Sequence, residues 1–136
     1  MIVVDTNVIA YFFLQGEQTQ QAEAVYEQDP EWVAPYLWRS EFRNVLALYL
    51  RQGYLSLEDA IQIYQEAETL MQQGEYAIDA IAVLQLTFES GCSAYDCEYV
   101  VLAQQLGVPL ITADRKLIAS FPLVAIPIAT FLQNLA

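Results

Sequence analysis

Histidine is absent from the 136 residues of this chain, and basic residues are scarce: five Lys and Arg stand against 17 Asp and Glu, for a net charge of −12. Without imidazole, histidine acid–base catalysis and histidine-ligated zinc are both excluded. Five cations are too few to grip nucleic acid by surface charge alone. Cysteine is limited to Cys92 and Cys97, whose separation lies outside the usual zinc and redox spacings. Both are expected to be free thiols of a cytoplasmic protein. No apolar run reaches membrane-spanning length. The N-terminus lacks a basic n-region and its apolar run stops at Asp5, so no signal peptide is expected. Repeats, low-complexity stretches and linkers are missing too, and residues 1–136 are expected to form one domain.

What is present is largely apolar. Hydrophobic residues make up 56% of the chain, which predicts an apolar face left over for self-association. The chain is organised around Met1-Ile2-Val3-Val4-Asp5-Thr6-Asn7. Three consecutive β-branched residues suit a strand buried on both faces. Asp5 falls at its carboxyl end, where open parallel sheets bind ligands, and Thr6 can cap the helix that follows. Two readings of Asp5 stand side by side here: a carboxylate placed for chemistry, or a residue that only joins strand to helix.

Hydrophobic periodicity and turn residues divide the remainder. Helices are expected over Val8–Leu14, Glu17–Gln28, Tyr36–Gln52, Ser56–Gln72, Ala80–Ser90, from Ser93 to Leu106, from Arg115 to just before Pro122, and over Thr130–Leu135. Strands are expected over Trp32–Ala34, stopped by Pro35, and over Glu75–Ile78, Val108–Thr112 and Leu123–Ile126. Ser56 and Ser93 each stand three residues before an acid, which is capping-box spacing. Asp79 is expected to cap a helix and is assigned no chemistry. Strands alternating with helices predict an α/β sandwich with a parallel sheet.

Four acids stand out. Asp5 and Asp114 end strands. Glu41 sits within the apolar stripe Leu37, Trp38, Phe42, Val45, Leu46 and Tyr49, where an uncompensated carboxylate is expensive. Arg39 and Arg43 lie two residues to either side of it and so face away. Asp96 shares a helix face with Tyr99, Val100 and Ala103, whereas Glu98 lies off that face and looks solvated. The bland alternatives are a Glu41 reaching for water from the stripe's edge and an Asp96 serving only the capping box. Four carboxylates at one sheet edge would repel without cations. Hard oxygen donors with no His or Cys suit Mg²⁺ or Mn²⁺ and metal-assisted phosphodiester hydrolysis. The metals would also supply the positive charge that lets so acidic a chain meet a polyanion.

These residues resemble those of the PIN-domain family and, in size and layout, VapC-like ribonuclease toxins of type II toxin–antitoxin pairs. The carriers are Val3-Val4-Asp5-Thr6-Asn7, Ser40-Glu41, Tyr95-Asp96 and Leu110-Ile111-Thr112-Ala113-Asp114-Arg115, in this order across nearly the whole chain. The resemblance implies a three-layer sandwich whose five-stranded parallel sheet has the order 3-2-1-4-5. It implies metal-dependent endonucleolytic cleavage of RNA, with Asp5, Glu41, Asp96 and Asp114 as the catalytic and metal-binding quartet. Asp5 and Asp96 would be direct Mg²⁺ or Mn²⁺ ligands, and Glu41 and Asp114 would complete the site directly or through water. Asn7 and Thr112 match supporting polar positions, Thr112 orienting a carboxylate or a metal-bound water. It also implies a homodimer and a cognate antitoxin whose basic tail wraps the toxin. Two departures stand out. The family's basic surface shrinks here to Arg115 and Lys116 as the cations adjacent to the quartet and its RNA, and Cys97 replaces the small residue common after the third acid. Alternative readings are a PIN nuclease of RNA processing or decay outside any toxin pair, and a degenerate PIN module that only binds a partner.

Overall fold

The computed structural model describes residues 1–133. In chain order the elements are β1 (Ile2–Val4), α1 (Thr6–Phe13), α2 (Thr19–Gln28), β2 (Trp32–Pro35), α3 (Leu37–Arg51), α4 (Leu57–Met71), β3 (Glu75–Tyr76), α5 (Ala80–Ser90), α6 (Ala94–Leu106), β4 (Leu110–Thr112), α7 (Arg115–Ser120), β5 (Ala125–Pro127) and α8 (Ile128–Gln133). The strands form one parallel sheet in the order β3-β2-β1-β4-β5. Parallel neighbours need crossover connections, and the helices supply them. Strand β1 is central: Val3 pairs with both Val33 and Leu110. Its three residues are fully buried, as an unbroken β-branched run requires. Helix α6 lies on β1, β2 and β4 and is backed by α5, while α1, α3 and α4 pack on one another and on the sheet.

Several boundaries differ from the sequence reading. The cap of α1 is Asp5, whose side chain accepts from Val8 N–H, so Thr6 lies inside the helix with its hydroxyl free for other use. Pro35 is the last residue of β2, tolerated because proline at a strand's end interrupts little pairing. Strand β5 starts at Ala125, because Phe121 O accepts from both Val124 N–H and Ala125 N–H and closes a turn around Pro122. The expected terminal helix begins at Ile128, and its expected end at Leu135 lies outside the described residues.

The aromatic residues in and just before α3 divide between surface and core: Tyr36 is 54% exposed and Tyr49 is half-buried. Trp38 and Phe42 are fully buried. Tyr64 of α4 covers both, with ring centroids 6.2 and 6.4 Å away. The periodicity of α3 does not reveal a lid supplied by the next helix. Arg39, on the outer side of α3, forks the carboxylate of Glu75, with Nη2 to Oε1 at 2.8 Å, and reaches Glu68 at 3.2 Å. Close approach explains one glycine: a Cβ on Gly74 would sit 2.2 Å from the carbonyl oxygen of Trp32.

Candidate active site

The carboxyl ends of β1 and β4 open into a cavity of about 530 Å³. Asp5, Glu41, Asp96 and Asp114 all line it, with Asn7, Asn44 and Tyr95 toward its mouth, and no Lys or Arg does. Four different elements deliver the acids. Asp5 and Asp114 each follow a strand and cap the helix after it. Asp5 Oδ1 accepts from Val8 N–H at 3.0 Å, and Asp114 Oδ1 accepts from Lys116 and Leu117 N–H at 2.9 and 3.2 Å. Glu41 projects from the second turn of α3. Asp96 sits in the first turn of α6, where Ser93 Oγ accepts its backbone N–H.

Thr112 ties two of the acids together. Its buried hydroxyl donates to Asp5 Oδ2 and accepts from Asp114 N–H at 2.9 Å. A single side chain at the end of β4 thus sets the rotamer of one acid and the backbone of another. Glu41 is held by a pair of hydroxyls that the sequence reading missed. Tyr99 OH lies 2.6 Å and Thr6 Oγ1 2.9 Å from Glu41 Oε1, and the two hydroxyls are 2.7 Å apart. The available signals were that Thr6 stands between Asp5 and Asn7, and that Tyr99 shares a helix face with Asp96. Neither says that the hydroxyls meet.

The electrostatics are those of crowded like charges. Asp5 is 6% exposed. Burial pushes its carboxyl up to about 6; the hydrogen bonds from Thr112 and Val8 oppose the rise, and the charges of Asp114 and Glu41 add to it. The Asp96 carboxyl is raised too, first by burial and then by Asp114, with Ser93 and Lys116 pulling the other way. Burial and the adjacent Glu41 charge push the Tyr99 hydroxyl far up, so it remains a proton donor. Glu98 departs from its expected solvation: it is half-buried, and burial and then Glu41 raise it. Arg39 and Arg43 face Glu75 and Tyr64 rather than the cavity. Arg115 and Lys116 are exposed at the start of α7, beside the cavity but not lining it.

The donor set suits a hard divalent cation: oxygen ligands only, negative charges that oppose one another, and no protein cation among them. Among the described residues no three carboxylates converge on one point as a finished metal cage. Ligation that keeps several waters, as Mg²⁺ prefers, fits this open arrangement.

The family model described as PIN domain matches residues 2–121. The chain is 32% identical over 132 residues to Ribonuclease VapC3 of Pyrobaculum aerophilum, covering 93% of this chain and 98% of that protein. Its fold is similar to the crystal structure of PAE2754 from the same organism, with a TM-score of 0.78 at 21% identity, over 97% of this chain and 93% of the other. It is also similar to a chain of a toxin–antitoxin complex from Klebsiella pneumoniae, with a TM-score of 0.69 at 18% identity, over 93% and 96% of the two chains.

Proposed function

This chain belongs to the PIN-domain family, and on that premise we propose that it is a metal-dependent endoribonuclease and the toxin of a toxin–antitoxin pair. The observation that carries the reading is the cavity lined by four carboxylates and no cation. Asp5 and Asp96 would hold Mg²⁺ or Mn²⁺, with Glu41 and Asp114 completing the shell directly or through water. When bound, the cation supplies Lewis acidity and offsets charge developing on the phosphoryl oxygens. The chain's own groups prepare the site. Thr112 keeps Asp5 turned toward the cavity, and Thr6 with Tyr99 fixes one oxygen of Glu41, leaving the other for the site. Asn7 offers an amide at the mouth. Arg115 and Lys116 stand where they can meet phosphates on either side of the bond to be cut.

RNA as substrate is supported by the relative called Ribonuclease VapC3. A peptide partner is supported by the toxin–antitoxin neighbour. An apolar groove of about 460 Å³ between α3 and α4, walled by Leu46, Leu50, Leu57 and Ile61, suits the apolar side of an antitoxin tail. A basic residue of that tail would reach the quartet and replace the cation there. A homodimer belongs to the same reading. Its supporting feature is an exposed stripe on α5, Ile81, Leu84 and Phe88, which are 68, 66 and 90% exposed. Residues 1–136 acting as one domain in the cytoplasm fit the two free, buried cysteines. No helix among the described residues is long and apolar enough to cross a membrane.

The test is cleavage of total RNA by the purified chain. Cleavage should require Mg²⁺ or Mn²⁺, stop on chelation, and be lost in Asp5→Asn and Asp96→Asn. No cleavage above background with either metal would overturn the reading. A neighbouring gene for a short, basic-tailed protein supports the toxin pair, and its absence favours a processing nuclease.

A further inference from the structure

We propose that the hollow beside the carboxylate cavity seats an unpaired base of the RNA substrate, from a nucleotide flanking the bond to be cut. The inference rests on the nuclease reading above and adds how the strand is held. Helices α1 and α3 pack on each other, and each carries a stripe that starts at the acids and runs away from them. On α1 it is Asn7 and Tyr11, continued by Leu14 at the helix's C-terminal cap; on α3 it is Glu41, Val45 and Tyr49. Residues three or four apart share a helix face, and eight residues of helix advance about 12 Å. A second hollow, of about 300 Å³, is lined by Asn7, Tyr11 and Leu14 of the first stripe and by Val45 and Tyr49 of the second. It shares Asn7 and Val45 with the carboxylate cavity, so the two lie side by side.

The lining of this hollow suits a base and repels a phosphate. It offers the half-buried rings of Tyr11 and Tyr49, the side-chain amides of Gln15 and Gln18, one acid, Glu17, and no cation. Tyr54 meets Tyr49 edge-on, with centroids 5.9 Å apart at 74°, which steadies the ring. Aromatic faces stack on unpaired bases, and amides and hydroxyls pair with base edges. Glu17 would accept from an amino or imino group of the base and would repel the backbone. The cations lie elsewhere: α7 borders the cavity through Asp114 and Leu117 and carries Arg115 and Lys116. A strand crossing the acids is therefore held by its phosphates toward α7 and by a base toward α1 and α3. This division lets a chain with five cations bind RNA, two of which, Arg39 and Arg43, already face Glu75 and Tyr64.

The test uses the full chain with Mn²⁺ and a short RNA whose cleavage site has been mapped. Single abasic residues are placed in turn at the positions flanking that bond. One of them should raise KM about tenfold, with a smaller change in kcat. Tyr49→Ala should raise KM for the intact RNA by a similar factor, and the two effects should not multiply, because each removes the same contact. Tyr49→Phe, which keeps the ring, should recover most of the loss. Tyr11→Ala serves as a second variant if Tyr49→Ala melts early, and the abasic series needs no variant at all. Abasic residues without effect at every flanking position, or effects that multiply, overturn the inference while the nuclease stands. A Tyr49→Ala variant with unchanged KM for RNA but weakened binding to a Lys/Arg-rich peptide shows a peptide site and also overturns it. A wild type that cleaves no RNA overturns the nuclease reading, and this inference with it.

Discussion

Asp5 caps a helix and faces a cavity of like charge, and the two duties pull on its proton in opposite directions. Its carboxyl rests at about 6 in the folded chain against an ordinary value of 3.8. The folded state thus holds this proton more tightly than the unfolded state does, and stability from this group falls as pH rises from about 4 to about 6. The two values differ by enough to be worth about 3 kcal/mol. In chelator, the wild type should therefore melt higher near pH 4.5 than near pH 7 as far as Asp5 governs it. Asp5→Asn should flatten that slope and, at pH 7, melt at least as high as the wild type. Added Mn²⁺ should raise the melting temperature of the wild type more than that of Asp5→Asn, and the gain should shrink below about pH 6 as protons compete for the ligand. An Asp5→Asn chain badly destabilised without metal would mark Asp5 as a structural acid. Tyr99 makes a second case. Tyr99→Phe leaves Thr6 on Glu41 but removes a hydrogen bond to a charged group, and activity should fall about tenfold. The melting curve should move little, and an equal loss of stability and activity would assign the hydroxyl to the fold alone. Neither the Tyr99 nor the Thr6 contact can be read from sequence, because the hydroxyls converge from α1 and α6 across a separation of 93 residues.

At the scale of elements, what the sequence makes legible is local. A β-branched run ending on an acid marks β1, Ser56 and Ser93 mark the starts of α4 and α6, and Gly107 marks a stop by its left-handed backbone. Long-range partnerships are not legible. The ring of Tyr64 over Trp38 and Phe42 comes from another helix, so α3 looks more exposed in isolation than it is. The outer side of α3 has a similar hidden partner. The Arg39 guanidinium, helped by the Trp38 indole, holds the largely buried Glu75 carboxyl below its usual range. Arg39→Ala would leave that carboxylate with the Trp38 indole but without its cation, and thermal or urea unfolding should show a loss of about 1.5 kcal/mol, since the guanidinium is itself partly exposed. A change below 1 kcal/mol would mean that water replaces the guanidinium at β3. Gly74→Ala should also destabilise, by about 2 kcal/mol or more, because the added methyl meets backbone rather than a side chain that can turn aside.

Across the whole molecule, a net charge of −12 acts at a distance. Association with a basic partner should be fast at low salt and slow as ions screen the field, which stopped-flow mixing over a salt series would measure. If such a partner still inhibits fully after its cationic tail residue is changed to Ala, with metal affinity unchanged, it blocks RNA access by bulk and not by charge. Light scattering at micromolar concentration should give a dimer, and Phe88→Glu should shift it toward monomer; a wild-type monomer would remove the role given to α5. The double duty of two of the acids bears on how such a protein decays under mutation. Asp5 and Asp114 each hold the start of a helix, so a lineage that had stopped cutting RNA would still be selected to keep a capping side chain at both positions, with Asp, Asn or Ser serving equally. Asp96 caps nothing, since Ser93 does that work for α6. It would be the first of the three to drift, and an intact Asp96 is the sharper sign that a chain of this kind still has a substrate.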